Sequence, residues 1–229
     1  MPLRLKWYTA TTLDRGKIEQ LLAGLLKDQY AEGKRSGFTN VILRGTSIEG
    51  EYIERFEAVT KIEDPFGKIT EYPIVQFERF FFSVGSKFPN LELHGSSRSL
   101  GSFLNQIAAY LNFQIAIEPV KVDLLLWLSA IEHNVDSFFV AGALVPNLSL
   151  SNSVQSKITF FGSTEVRPFV KKLTGKRFYA FSKVQLNGIS HSERFKFELF
   201  ADGRATVLSG VESEIVKLLR ISLRMAVTK

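Results

Sequence analysis

The chain has 229 residues, 45% of them hydrophobic and 23% charged, with 20 Phe and no Cys. That is enough apolar material for one large core or two smaller ones and too much for a disordered chain, while the lack of cysteine excludes disulfides, thiolate metal sites and cysteine nucleophiles. The net charge of +6 is unevenly spread: residues 51–123 carry seven Lys/Arg against ten Asp/Glu, and residues 150–229 carry fourteen against six, an asymmetry that attracts polyanions.

The N-terminus lacks the apolar core of a signal peptide, and no apolar run approaches the about 18 residues that span a bilayer. A cytoplasmic protein without membrane contact is expected. The first strand is Leu3 to Ala10. Asp14 then caps an amphipathic helix over 14–28, in which Ile18, Leu21, Leu22, Leu25 and Leu26 recur at helical spacing. A basic glycine-containing loop leads to a strand at Phe38–Arg44. Two long alternating segments, Tyr52–Ile62 and Tyr72–Val84, flank Asp64-Pro65-Phe66-Gly67 and should form a hairpin.

Next comes a strand, turn, helix and strand at 91–122, and a similar series recurs at 158–186. Leu91, Leu93, Gly95, Ser96 and Ser97 match Ile158, Phe160, Gly162, Ser163 and Thr164 at a constant offset of 67. After a one-residue gap, Phe103 and Leu104 match Phe169 and Val170. The first helix buries Leu100, Phe103, Leu104, Ile107, Ala108 and Leu111, and its returning strand is Phe113–Val122. The second buries Val166, Phe169, Val170 and Leu173, ends at Gly175 as a left-handed cap, and returns as Phe178–Leu186. Agreement of turn chemistry, helix phase and strand indicates an internal repeat.

Between the copies, Asp123–His133 is apolar on nearly every side, as a buried linker helix requires. A strand at Ser137–Val145 follows it. The chain closes with a hairpin of Glu193–Phe200 and Arg204–Leu208 around Asp202-Gly203 and a helix over 212–226. The expected fold is α+β, with two related strand-turn-helix-strand halves, mainly antiparallel sheets and helices on one face. The expected division is 1–123, a linker at 124–136, and 137–229.

Candidate sites follow from charge and turn chemistry. The turns at Ser96, Ser97 and Arg98 and at Ser163 and Thr164 could hold an anion on helix N–H groups; the same residues could instead serve as helix caps. Arg167, Lys171, Lys172, Lys176 and Arg177 are the densest basic cluster, and Lys217, Arg220 and Arg224 share a face of the last helix. Both sets suit sequence-independent phosphate contacts, and both would also suit an ordinary solvated helix face. Strand aromatics including Phe80, Phe81, Phe82, Phe195, Phe197 and Phe200 could stack on bases, although alternation assigns most of them to a core.

His94, His133 and His191 have no metal-ligand spacing, and no nucleotide, hydrolase or dinucleotide fingerprint occurs. No catalytic residue, metal or cofactor is expected. The aromatic strand Trp7-Tyr8-Thr9-Ala10-Thr11 and the mid-chain strand Gln114-Ile115-Ala116-Ile117-Glu118-Pro119, in this order of elements, resemble RexA-type phage-exclusion proteins. The resemblance implies a DNA-binding defence protein without an enzymatic centre and carries over no individual residue. TATA-binding proteins offer an analogy in the duplicated unit forming one DNA-facing sheet. The leading expectation is a non-enzymatic nucleic-acid binder. The alternative is a protein-interaction or assembly subunit, homo-oligomeric through a Phe-rich strand edge, and Phe80-Phe81-Phe82, which breaks alternation, suggests a strand buried on both sides against another subunit.

Overall fold

The computed structural model describes residues 2–11, 13–95, 100–149, 154–175, 177 and 179–227. The fold is α+β, with antiparallel strands and five helices among the described residues. The chain forms two compact units: an internal unit of residues 10–117, and a terminal unit that joins residues 1–9 to 118–229. The boundary expected after residue 123 therefore differs from the one observed, and the linker helix belongs within the terminal unit. The reason lies in β1 (Leu3–Ala10), which pairs with a strand some 200 residues away, setting Leu3 against Val207 and Lys6 against Arg204.

The internal unit begins with α1 (Arg15–Lys27), capped by Asp14, whose carboxylate accepts the Lys17 N–H at 2.9 Å. Then come β2 (Ser36–Arg44), β3 (Ser47–Glu63), β4 (Ile69–Gly85), β5 (Leu91–His94) and α2 (Leu100–Tyr110). The strands lie in the order β2-β3-β4-β5. Register places Phe38 opposite Tyr52 and Tyr52 opposite Phe80, so large aromatics stack across three strands on one face. Phe103 of α2 completes that layer, with ring centroids 5.1 Å from Phe80, 5.2 Å from Phe82 and 5.4 Å from Tyr52. Phe80 and Phe82 are buried core residues, and Phe81 and Phe82 lie between β3 and β5. The expectation of a strand buried on both sides at 80–82 is therefore corrected: Phe80 and Phe82 face the core, Phe81 is 55% exposed on the other face, and the strand is not a sheet edge there.

The terminal unit adds to β1 the short β6 (Ile117–Pro119), α3 (Leu124–Glu132), β7 (Ser137–Ser149), β8 (Gln155–Phe161), α4 (Arg167–Thr174), β9 (Lys183–Ser190), β10 (Glu193–Phe200), β11 (Arg204–Ser209) and α5 (Glu212–Ala226). Its main strands run in the order β1-β11-β10-β9-β7-β8. Alternation along β10 buries Phe195, Phe197 and Leu199, which α5 helps to cover, with Leu219 and Leu223 inward and less than 1% exposed. α3 packs against α5, where Trp127 donates its indole N–H to Ser222 Oγ at 2.9 Å. Leu125 and Leu126 of α3 are about half-exposed, so this helix is buried on one side and not all round.

Each segment has a strand followed by a helix, but the internal repeat expected from the sequence is not shown. After α2, Asn112 and Phe113 adopt left-handed backbone (φ 51° and 56°), and the returning strand shrinks to Ile117–Pro119. After α4, the return is the eight-residue β9, paired on both sides by β7 and β10. Among the described residues no helix is long and apolar enough to cross a membrane.

Candidate nucleic-acid interface

The excess positive charge lies in one of the two units. The terminal unit holds seventeen Lys/Arg against ten Asp/Glu, and the internal unit twelve against thirteen. The positive charge is therefore concentrated in the terminal unit, the one that contains α4 and α5.

α4 starts without a side-chain cap at Val166. Its first turn is served by Glu165, whose carboxylate accepts the Arg167 N–H at 2.9 Å and the Val140 N–H at 3.2 Å, and Pro168 presets the backbone for the first turn. The exposed Ser163 and Thr164 are thus not the caps that turn chemistry suggested; the carboxylate of Glu165, next in the chain, takes that role. Gly175 ends the helix with a positive φ of 62°, but its ψ of −125° departs from the expected left-handed helical cap. Inward stand Val166, Val170 and Thr174, a narrow stripe against β7. Phe169 and Leu173 were expected inward and are instead 62% and 54% exposed, because eight residues over a sheet margin bury only one row.

The basic cluster divides accordingly. Arg167 does not project with the others. Its guanidinium forms a two-pronged pair with Glu165, Nε to Oε1 at 2.9 Å and Nη2 to Oε2 at 2.8 Å, and lies 5.5 Å over the Phe138 ring. Burial pushes the Glu165 carboxyl up, but the bonds from Arg167 and the two amides overcome it and hold it below the usual carboxylate range. Arg167 is an anchor of the helix start. Lys171 and Lys172 are exposed on α4, beside the outward Phe169 and Leu173, and Arg177 is exposed just beyond Gly175. Lys176 and the turn Ser96, Ser97 and Arg98 lie outside the described residues. On α5, Lys217, Arg220 and Arg224 all stand on the exposed side, opposite the buried Ile215, Leu219 and Leu223, with the half-exposed Ile221 among them.

A second arrangement was missed by sequence reading. On the polar face of the terminal sheet, register aligns Lys6, Arg204, Phe200 and Lys183 across β1, β11, β10 and β9. Arg204 lies 4.6 Å and Lys183 5.4 Å from the centroid of the Phe200 ring, so a partly exposed aromatic is flanked by cations. Each cation also has a carboxylate partner: Lys183 meets Glu198 and Arg204 meets Asp202, both at 2.7 Å. Burial lowers the Lys6 pKa. Phe200's outward side was readable from alternation, since 195, 197 and 199 point the other way; its neighbours required the register of four strands.

The histidines are dispersed: His94 bonds Glu92, His133 Nδ1 lies 2.6 Å from the Ser129 carbonyl, and His191 lies beside Ser190 in a turn. Searches against protein-family models and curated proteins give no match to this chain.

Proposed function

We propose that the chain is a non-enzymatic nucleic-acid-binding protein whose terminal unit holds phosphates without reading sequence. What carries the proposal is the concentration of positive charge in that unit, together with the exposed Lys171, Lys172 and Arg177 around α4 and Lys217, Arg220 and Arg224 on α5. Exposed Phe169 beside the lysines suits sugar and base contact next to phosphate. The resemblance to RexA-type phage-exclusion proteins supports a setting in phage defence, in the cytoplasm. The cation-flanked Phe200 favours an added preference for single strands, whose bases are free to stack.

Fluorescence anisotropy with generic duplex and single-stranded DNA at several salt concentrations tests this. Charge reversal of Lys171 and Lys172 should weaken binding and flatten the salt dependence by about two phosphate contacts. Phe200→Ala should weaken single-strand binding more than duplex binding. Affinity no better than millimolar at low salt, or indifference to reversing Lys171 and Lys172, ends the proposal.

A further inference from the structure

The polar face of the terminal sheet holds a dish of about 540 Å³, whose lining includes Phe139, Asn187, Ile189, Arg194, Lys196 and Ser209. That volume falls within the roughly 300–1,000 Å³ of small-molecule sites. Strand register explains which residues meet there. Phe139 of β7, Asn187 of β9 and Lys196 of β10 form one row, and Ser137, Ile189 and Arg194 form the next. Ser209 of β11 stands opposite Lys196. The alternate residues Val140, Leu186, Phe195 and Phe197 are buried in the core, so the dish side chains share the open face, the same one that carries Phe200.

Two features set the dish apart from an ordinary polar sheet face. Its cations are uncommitted. Near Phe200, Lys183 and Arg204 each hold a carboxylate at 2.7 Å, whereas the side chains of Arg194 and Lys196 form no ion pair among the described residues. The amide at its centre is also without a partner. Asn187 Oδ1 is buried and accepts no hydrogen bond, and the side chain makes none at all among the described residues. Nothing of that kind fixes the amide's orientation, so rotation about its last torsion turns donor and acceptor alike toward the dish. A buried polar atom left unpaired costs stability, and a ligand that supplies its partner recovers that cost.

We propose that this dish binds a nucleoside phosphate, with the base against Phe139 and Asn187 and the phosphate at Arg194 and Lys196. Phe139 offers a ring on which any base stacks. The Asn187 amide, a donor beside an acceptor, matches the paired acceptor and donor on a base edge such as that of adenine. Phe139 and Lys196 stand two strands apart, about 10 Å at roughly 4.8 Å per strand, a gap that a base and its own phosphate bridge through the sugar. The hydroxyls of Ser137 and Ser209 border that gap. A duplex is excluded, because its bases are stacked and paired and present no free face to Phe139. The nucleotide is either free or part of a single strand crossing the sheet; in the second case the inference rests on the nucleic-acid reading above, and in the first it stands without it.

Ligand-observed NMR titration of the full chain with adenosine 5′-monophosphate and ribose 5-phosphate, beside fluorescence anisotropy with a short adenine-rich single strand, tests this. The monophosphate should bind about tenfold more tightly than ribose 5-phosphate, the share of the base. Asn187→Leu should weaken it about tenfold, and so should Arg194→Gln combined with Lys196→Gln, a pair of polar exchanges on the open face that leaves the core intact. Lys171→Gln combined with Lys172→Gln on α4 should leave it unchanged. Loss of strand affinity in Asn187→Leu identifies a strand's nucleotide as the occupant, and lost monophosphate binding with unchanged strand affinity identifies a free one. If ribose 5-phosphate binds as tightly as the monophosphate, or if neither dish variant changes either affinity, the inference is overturned. A strand that ignores Lys171 and Lys172 ends the α4 reading and leaves the monophosphate result standing.

Discussion

The two units solve the same problem, covering one face of an antiparallel sheet with helices, using different material. The internal unit is nearly neutral and centres on rings: Phe38, Tyr52, Phe80, Phe82 and Phe103 lie within 5.1–6.3 Å of their neighbours. The terminal unit is basic and more aliphatic, with Val140, Leu186, Val207, Leu219 and Leu223 beside the Trp7–Trp127 edge contact at 5.8 Å and the stacked Phe195–Phe197 pair at 5.1 Å. Rings impose angular preferences that methyl groups do not, so the internal core should be the less tolerant of truncation. A basic surface over an adaptable aliphatic core leaves the terminal unit's sequence freer to carry charge.

Truncation probes this contrast most strongly. Phe103→Ala should cost about 4 kcal/mol, and Leu219→Ala about 3 kcal/mol, by urea denaturation followed by circular dichroism. The extra loss at Phe103 reflects its ring contacts, which together add about 1 kcal/mol beyond burial. Equal costs would mean that the aromatic cluster contributes area alone.

Local chemistry was legible in the sequence, and long-range assembly was not. β1, α1 with its Asp14 cap, the closing hairpin and α5 follow from periodicity and capping, which act within a few residues. The partner of β1 could not be read, because nothing near Leu3 specifies Val207. The same limit applied to α4. Its apolar residues are periodic enough to suggest a wide buried face, but only the helix's place over β7 decides that Phe169 and Leu173 stay outside. At the candidate interface, the exposure of Lys171, Lys172 and Arg177 was legible; the capture of Arg167 by Glu165 depends on the chain's turn into the helix, and the Phe200 row on strand register.

Helix starts give a finer comparison. Asp123 accepts two amides, Leu125 N–H at 2.8 Å and Leu126 N–H at 3.3 Å, whereas Asp14 accepts one, from Lys17 at 2.9 Å. Replacement by Ala should cost about 1 kcal/mol at either site, with Asp123 the larger of the two. A reversed order in thermal melts would show that the second, longer bond contributes nothing.

Acid should separate the units by their anchoring carboxylates. Burial raises the Asp28 pKa, and hydrogen bonds from Tyr110 at 2.6 Å and Lys34 at 3.0 Å more than reverse this; Glu165 behaves likewise under Arg167. Both pKa values are depressed in the folded state. Each group therefore contributes stability that is complete above the ordinary carboxylate range and disappears as pH falls through its folded value. Glu165→Gln and Asp28→Asn should each flatten the acid limb of a stability-versus-pH curve, and Glu165, which accepts four bonds, should do so more. An unchanged acid limb in both variants would place acid sensitivity elsewhere.

The smallest effect concerns a hydroxyl. Tyr8 in β1 is 2% exposed, and its OH finds no hydrogen-bond partner among the described residues, while burial pushes its pKa well up. Folding strips water from this group and returns no protein bond for it. Tyr8→Phe removes the buried polar atom while keeping the ring beneath Lys6, whose ammonium lies 5.0 Å from its centroid. The substitution should be neutral or stabilise the chain by up to about 1 kcal/mol. In the internal unit Gln106 Oε1 is likewise unpartnered, but its amide nitrogen holds Ser36 at 2.8 Å and Tyr52 at 3.2 Å. Gln106→Leu should therefore destabilise where Tyr8→Phe does not. If Tyr8→Phe instead lowers the melting temperature, that hydroxyl has a partner in solution, and an ordered water is the group to look for.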